Sequence, residues 1–365
     1  MHITHIITKC DYGGAQSVVR ELAAEQLRRG HTVTVITGTL GAASHAMESL
    51  GATIIPLHAL GRSLHPWRDT AALQQLTASL RSDRPDVVHT HSSKGGLLGR
   101  LAARRLKLPV VYTAHGWPFQ AGAARLQRLQ SYFGERFASR VEGPVVCVTR
   151  ADLRLARRVR VCEPRRLHLI HNGVGRPGSL PARPMHTPDG PLELVMVARF
   201  APPKRQDLLI EAVAALDARV SVTFVGDGEL LEVARAQAAP LGERVRFVGQ
   251  CDPLPYLERA HALVLLSDYE GLPMSIMEAM QLGLPVIANR LPGIVDAVED
   301  EKTGLLTGLD AKSVADAIRR LSADPTLRVE LGSRARQRWT RSFTAGHMAD
   351  GYEKVYLETL GPRTA

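Results

Sequence analysis

A chain of 365 residues is long enough for two domains with separate cores, and 45% hydrophobic residues place it among globular proteins. An aromatic share of 5% argues against a carbohydrate-binding β-sandwich or a base-stacking nucleic-acid surface, and no uncharged apolar run nears the roughly 20 residues that span a bilayer. The net charge of +10 is unevenly placed: residues 1–180 hold 25 basic and 11 acidic side chains (net +14), the remainder 21 and 25 (net −4). A basic half attracts nucleic acid, anionic membrane or phosphorylated ligands, and composition does not choose among them. Cys10, Cys147, Cys162 and Cys251 lie far apart with no C-x-x-C pair, which argues against a disulfide framework or zinc site and suits a reducing cytoplasm. The opening MHITHIIT reads as a strand rather than a signal peptide.

In chain order, HITHIIT precedes a glycine pair and a helix from Ala15 to Arg29 with Val18, Val19, Leu22 and Leu27 on its apolar side. HTVTVIT, ATIIPL, a helix near Asp69–Ser82, DVVHTH, a helix near Leu97–Leu106, PVVYTA and a helix over Arg125–Arg140 follow, and VVCVTR and LHLIHN close the half. Short apolar strands alternating with helices of this length read as βαβ units around a parallel sheet. Asn172–Pro191, rich in proline and glycine, reads as an interdomain stretch. The pattern then restarts with LELVMVAR, a helix over Gln206–Leu216, VSVTFVG, a helix over Glu229–Ala239, RVRFVG, ALVLLS, PVIAN and GLLT. The expected organisation is a domain over 1–175, a linker over 176–190 and a domain over 191–344, with a helix at about 345–362 packing back on the first. Two doubly wound halves predict ligand between them, at the C-terminal strand ends.

Several segments carry chemistry at those strand ends. Gly13 and Gly14 open a helix and let backbone N–H groups approach a phosphate or an acceptor; a tight turn alone accounts for one glycine better than for two. HTHSSKGGLLGR exposes His91, Ser92 and Lys94 near a helix start, where Lys94 can meet a phosphate. His115 ends the PVVYTA strand. In helix 125–140, Leu126, Leu129, Phe133 and Phe137 share a face, with Arg125, Arg128, Arg136 and Arg140 elsewhere. That stripe reads either as core-facing or as an interfacial surface for anionic lipid, and the arginines at 154, 157, 158, 160, 165 and 166 add weight to the second reading. Arg199 and Lys204 follow a strand five residues apart, well suited to charge developing on a departing diphosphate. Asp227, in the turn GDG, suits a turn or N-cap. In SDYEGLPMSIMEAMQLGLPVIA, Glu270 lies on a loop and Glu278 in the first turn of a helix beginning near Ser275, where Ser275-Ile-Met-Glu278 also reads as a capping box.

The order of these segments resembles glycosyltransferase family 4, whose members are retaining enzymes of GT-B fold, and most closely its capsule and exopolysaccharide members. The E-x7-E signature is matched by Glu270 and Glu278 with the GLP turn between them. VARFAPPKRQDLLIEA, VTFVGDGEL, PVVYTAHGWPF and DYGGAQSVVRELAAEQLRRGHTVTVIT match its other motifs in order. Gln16 departs from the glutamate frequent at that place. The resemblance implies an α/β, GT-B architecture of two Rossmann-like domains facing a central cleft. It implies that Glu270 and His115 contact the donor sugar, that Glu278 binds the ribose, that Arg199 and Lys204 grip the diphosphate, and that Gly13, Gly14, Gly271, Leu272 and Pro273 border the donor. It also places the loop 249–254 near the base. The implied reaction is retaining transfer from a nucleotide-diphosphate sugar, UDP-sugar first, to a sugar or polyprenyl-diphosphate-linked acceptor in cell-surface polysaccharide synthesis. D-x-D is absent from the chain, so no metal or other cofactor is expected. The expected location is cytoplasmic, with peripheral attachment to an anionic membrane surface. A nucleotide-sugar epimerase of the same architecture and a non-catalytic basic nucleic-acid- or membrane-binding protein are the alternatives. The latter leaves the acidic second half unexplained.

Overall fold

The computed structural model describes residues 1–11, 13–61, 65–117, 125–141, 143–175 and 191–361; within 125–138 the side chains of residues 125–128 and 130 are not among those described. The expected linker, 176–190, lies outside the described residues. Contacts divide the chain into two units, Met1–Gly175 with Thr344–Ala365, and Arg176–Phe343.

The first unit runs β1 (His2–Ile7), α1 (Gly14–Arg28), β2 (Thr32–Thr37), α2 (Ala42–Ser49), β3 (Thr53–Pro56), α3 (Pro66–Asp83) and β4 (Val87–His91). It continues α4 (Ser93–Leu106), β5 (Val110–Ala114), α5 (Arg125–Ala138), β6 (Val145–Cys147), α6 (Arg150–Arg158) and β7 (Leu167–Leu169). The strands form one parallel sheet in the order β3-β2-β1-β4-β5-β6-β7. Because β1 and β4 are the neighbours from which the chain winds in opposite directions, the switch point of this sheet lies between them. Strands buried along their whole length need helices on both faces. Ile6, Val88, Leu98 and Ala102 pack in one core cluster, and Ile7, Val19, Val35 and Met47 in another. Glycines let α4 lie close to the sheet: a Cβ on Gly96 would meet the Tyr112 ring at 2.5 Å, and one on Gly99 would meet Thr90 Cγ2 at 2.6 Å.

The second unit runs β8 (Leu192–Val197), α7 (Gln206–Ala214), β9 (Val220–Val225), α8 (Leu231–Ala238), β10 (Val245–Phe247), α9 (Leu254–Arg259) and β11 (Ala262–Leu265). Then come α10 (Met274–Gln281), β12 (Val286–Asn289), α11 (Ile294–Ala297), β13 (Gly304–Thr307), α12 (Ala311–Ala323) and α13 (Pro325–Ser342). Its parallel sheet has the order β10-β9-β8-β11-β12-β13, with its switch point between β8 and β11. The last helix, α14 (Ala345–Leu360), belongs to the first unit, where Tyr352 and Tyr356 are buried. The two sheets are doubly wound Rossmann-like sheets of the kind that make up the GT-B fold.

Three local expectations change. α4 begins at Ser93 rather than near Leu97, which brings Lys94 inside the helix. α10 begins at Met274 with Pro273 as its N-cap and no side-chain cap, so Ser275 lies within the helix, Glu278 falls in the second turn, and the capping box does not form. Pro273 accounts for the shift, since its fixed φ suits the residue that launches a helix. The described part of the stripe on α5 does not face the core; the side chain of Leu126 lies outside the described residues. Leu129, Phe133 and Phe137 are exposed, while Glu135 and Ala138 turn inward, Glu135 to meet buried Arg100 and the Tyr112 hydroxyl.

Candidate functional site: two strand-end clusters

In the second unit the loop after β8 crosses the switch point. Lys204 forms an isolated antiparallel bridge with Ser267, just beyond β11. Arg205 N–H donates to Leu266 O at 3.0 Å and Asp268 N–H to Pro203 O at 2.9 Å. This hook carries the Lys204 ammonium onto the Glu270 carboxylate, 66 residues away in sequence. Ser267 Oγ donates to the same carboxylate oxygen at 2.6 Å. The Asn289 amide holds Ser267 in turn, accepting from its N–H at 3.0 Å and donating to its carbonyl at 2.8 Å. The ends of β8, β11 and β12 are thus tied to one carboxylate. Glycines set the surrounding turns. Gly226 and Gly228 have φ of 147° and 152°, and a Cβ on them would meet Ala198 O at 2.1 Å and Phe200 O at 2.4 Å. A Cβ on Gly293 would meet Gly271 O at 1.8 Å, so only glycine fits beneath the Glu270–Gly271 turn. The G-x-G turn is therefore required by the packing of the β8 loop, and Asp227 O accepts from Phe200 N–H within it.

Arg199 is exposed at the start of that loop, with no carboxylate partner among the described residues. Leu272 and Pro273 are buried, Gly271 is half-buried, and α10 buries every residue except Glu278. An uncapped helix start leaves its first N–H groups available to an anion. The structure thus gathers Arg199, Lys204, Glu270, Gly271, Leu272 and Pro273 at the strand ends of one sheet, with Glu278 on the open side of the adjoining helix.

In the first unit, Gly13 is the N-cap of α1, again without a side-chain cap. Neither Gly13 nor Gly14 is forced by a left-handed φ. The nearest atoms that a Cβ on Gly13 would meet belong to the Gln16 side chain, and one on Gly14 would meet nothing within 4 Å. His91 ends β4 and His115 follows β5; His91 Nδ1 and His115 Nε2 are 3.0 Å apart. Ser92, whose φ of 62° is unusual for a residue with a Cβ, shares a hydrogen bond with Thr8 Oγ1 at 3.2 Å. Lys94 is buried against the Asp69 carboxylate on α3. It therefore supports the α3–α4 pairing, and the expectation that it greets a phosphate does not match this placement.

Beneath this end lies a cluster that sequence reading missed. His5, His89 and His91 are fully buried and lie within metal-ligand distance of one another. All six of their ring nitrogens are already in hydrogen bonds, to Gln26, Thr113, Tyr356, His115 and each other. Burial lowers the pKa of His5 to about 4, partly offset by its bond to Gln26, and holds His89 and His91 far below the ordinary imidazole range. The imidazoles are neutral. The available signal was the alternation in HTH, which puts His89 and His91 on one face of a strand.

The chain matches known proteins across both halves. The model for Glycosyl transferase 4-like domains matches residues 13–173, and that for Glycosyl transferases group 1 matches residues 183–338. The D-inositol 3-phosphate glycosyltransferase of Salinispora arenicola (strain CNS-205) is 30% identical over 345 residues, covering 81% of this chain and 74% of that protein. The chain belongs to the group 1 glycosyltransferases. The transferase is also 28% identical, over 86% of its length and 85% of the relative's, to the UDP-Gal:alpha-D-GlcNAc-diphosphoundecaprenol alpha-1,3-galactosyltransferase of Escherichia coli. Among solved structures, Anabaena Alr3699/HepE in complex with UDP-glucose superposes with a TM-score of 0.82 at 20% identity, covering 97% of this chain and 98% of that one. This family is one of sugar transfer, which sets aside the epimerase and the non-catalytic alternatives.

Proposed function

We propose that the transferase is retaining and metal-independent, moving a sugar from a UDP-sugar to a sugar or polyprenyl-diphosphate-linked acceptor in cell-surface polysaccharide synthesis. The observation that carries the proposal is the junction of Lys204, Ser267 and Glu270 at the switch point of the second unit. Sugar-phosphate cleavage places charge on the departing nucleoside diphosphate. Lys204, Arg199 and the first N–H groups of α10 form a fixed positive surround for it, stronger in the transition state than before cleavage. Glu270, already oriented by Lys204 and Ser267, is set to accept from a sugar hydroxyl, and His115 supplies a second acceptor. Among the described residues no second carboxylate joins Glu270 at its junction with Lys204 and Ser267, so attack by the acceptor on the face the leaving group vacates fits better than double displacement. The departing phosphate oxygen would take the acceptor's proton. The relative that acts on diphosphoundecaprenol-linked GlcNAc supports the lipid-linked class of acceptor.

The direct test is turnover of a panel of nucleotide sugars with a polyprenyl-diphosphate sugar acceptor in excess EDTA. Product with the donor's anomeric configuration, formed from a UDP-sugar, is the expected result. Activity lost on chelation and restored by manganese would show that a metal is required. Glu278→Gln is expected to weaken nucleotide binding at least tenfold by calorimetry. The capping explanation for this residue has lost its geometry, so unchanged affinity would remove Glu278 from the nucleotide site.

The proposed setting is the cytoplasmic membrane surface, reached peripherally, since no helix among the described residues is long and apolar enough to cross a membrane. The outward stripe Leu129, Phe133 and Phe137 supports this, as do Arg136, Arg140, Arg157 and Arg160, which line an adjoining open concavity. Each basic side chain near an anionic surface contributes about 1 kcal/mol, weakened by salt. Flotation with vesicles should rise with phosphatidylglycerol content and fall for Phe133→Ser/Phe137→Ser. Binding indifferent to lipid charge would leave a small soluble acceptor as the better reading.

A further inference from the structure

A neutral imidazole has one N–H and one lone pair, so a hydrogen-bonded row of neutral imidazoles has a direction, and whatever sits at its closed end sets that direction for every ring. The first unit contains such a row. Gln26 Oε1 lies 2.8 Å from His5 Nε2, His5 Nδ1 lies 3.0 Å from His91 Nε2, and His91 Nδ1 lies 3.0 Å from His115 Nε2. The far end, His115 Nδ1, is shielded from solvent and has no hydrogen-bond partner among the described residues.

An amide oxygen only accepts, so His5 carries its proton on Nε2 and turns a lone pair toward His91. His91 must then donate from Nε2 and accept at Nδ1, and His115 must donate from Nε2. What remains is a lone pair on His115 Nδ1. The other side of the amide is consistent with that orientation. Gln26 Nε2 donates to the Tyr356 hydroxyl at 3.3 Å, which leaves Tyr356 to donate to His89 Nδ1 at 2.6 Å. Turning the Gln26 amide over would reverse every bond in the row and put a proton on His115 Nδ1.

We infer that Gln26, oriented by Tyr356, is a positioning residue that acts through His5 and His91 to hold His115 as a hydrogen-bond acceptor at Nδ1. This rests on the reading that His115 meets a sugar hydroxyl, and it specifies the contact: the hydroxyl donates and the ring accepts. The row does not serve as a proton sink. A proton accepted at His115 and passed inward would stop at His5, because Gln26 offers no further site, and that ring is wholly enclosed. The row fixes polarity and carries no charge away.

The test is nitrogen NMR of the full chain labelled at histidine, reading which ring nitrogen of His115 carries the proton. In the wild type a single form is expected, protonated at Nε2 and bare at Nδ1. Gln26→Met removes the acceptor that sets the direction, and Tyr356→Phe removes the group that orients the amide; each should add a second His115 form protonated at Nδ1. If Gln26→Met does not fold, Tyr356→Phe still tests the inference. A wild-type proton on Nδ1, or an unchanged His115 spectrum in every variant that folds, would overturn it. The measurement needs no donor sugar, so failure of the sugar-transfer reading would show in turnover while the tautomer result stood or fell by itself.

Discussion

Lys204→Ala is expected to lower sugar-transfer kcat by about 10²–10³-fold, the usual cost of removing one preorganised group aimed at developing transition-state charge. Two effects combine in that variant. The leaving diphosphate loses a cation, and Glu270 loses the ammonium that shares its carboxylate with Ser267. The fold should survive, because Ser267 stays clamped by Asn289 and the loop keeps its backbone bonds to Leu266 and Asp268. Arg199→Ala separates the two effects, since this exposed side chain holds no carboxylate in place, and its loss should lower kcat without disturbing Glu270. Steady-state rates beside thermal melts would check both variants. Near-normal turnover in each would remove this cluster from the donor site.

The second large effect is on stability. The first unit should weaken steeply as pH falls from 6.5 toward 4. Unfolded histidines take up protons near pH 6.5, whereas the buried rings resist protonation: His5 to about 4, and His89 and His91 to well below the ordinary imidazole range, in each case chiefly through burial. Between those limits the unfolded chain binds more protons than the folded one, so stability rises with pH across the window and is fully present above it. A displacement like that of His5 corresponds to roughly 3 kcal/mol, a large share of the stability of an ordinary domain. Urea melts at pH 7 and pH 5, followed by hydrogen exchange of the first unit's amides, would show it. Equal midpoints for wild type and His5→Gln at both values would contradict this account of the cluster.

Both sheets, the doubly wound pattern and the strand-end placement of Arg199, Lys204 and Glu270 were legible because hydrophobic period and turn residues are local signals. Three features were not, for distinct physical reasons. The α5 stripe was visible as one face, but spacing tells which residues share a face and not which way it points; the direction is set by Arg100, which draws Glu135 inward from another helix. The capping box on α10 was misread because Pro273 launches the helix and leaves Ser275 inside it, which a Ser-x-x-Glu pattern alone does not reveal. Ser267, Asn289 and Gly293 were overlooked because their roles exist only where β8, β11 and β12 meet. The histidine row shows the same limit. Alternation put His89 and His91 on one face, but nothing local foretold that β1 would lie beside β4 and bring His5 to them.

The return of α14 to the first unit also orders events during synthesis. Gln26, His89 and Thr113 find their hydroxyl partners 330, 267 and 239 residues later, on Tyr356 and Tyr352. A ribosome that has released the first 175 residues has therefore made a sheet whose most polar interior still lacks its cover, and it must translate the whole second unit before that cover arrives. The second unit can close on its own segment meanwhile. Completion of the first unit thus waits on synthesis of α14, and contacts so distant in sequence are slow to form. Nascent chains stalled before residue 345 should leave the first unit bound by chaperones while the second is already protease-resistant.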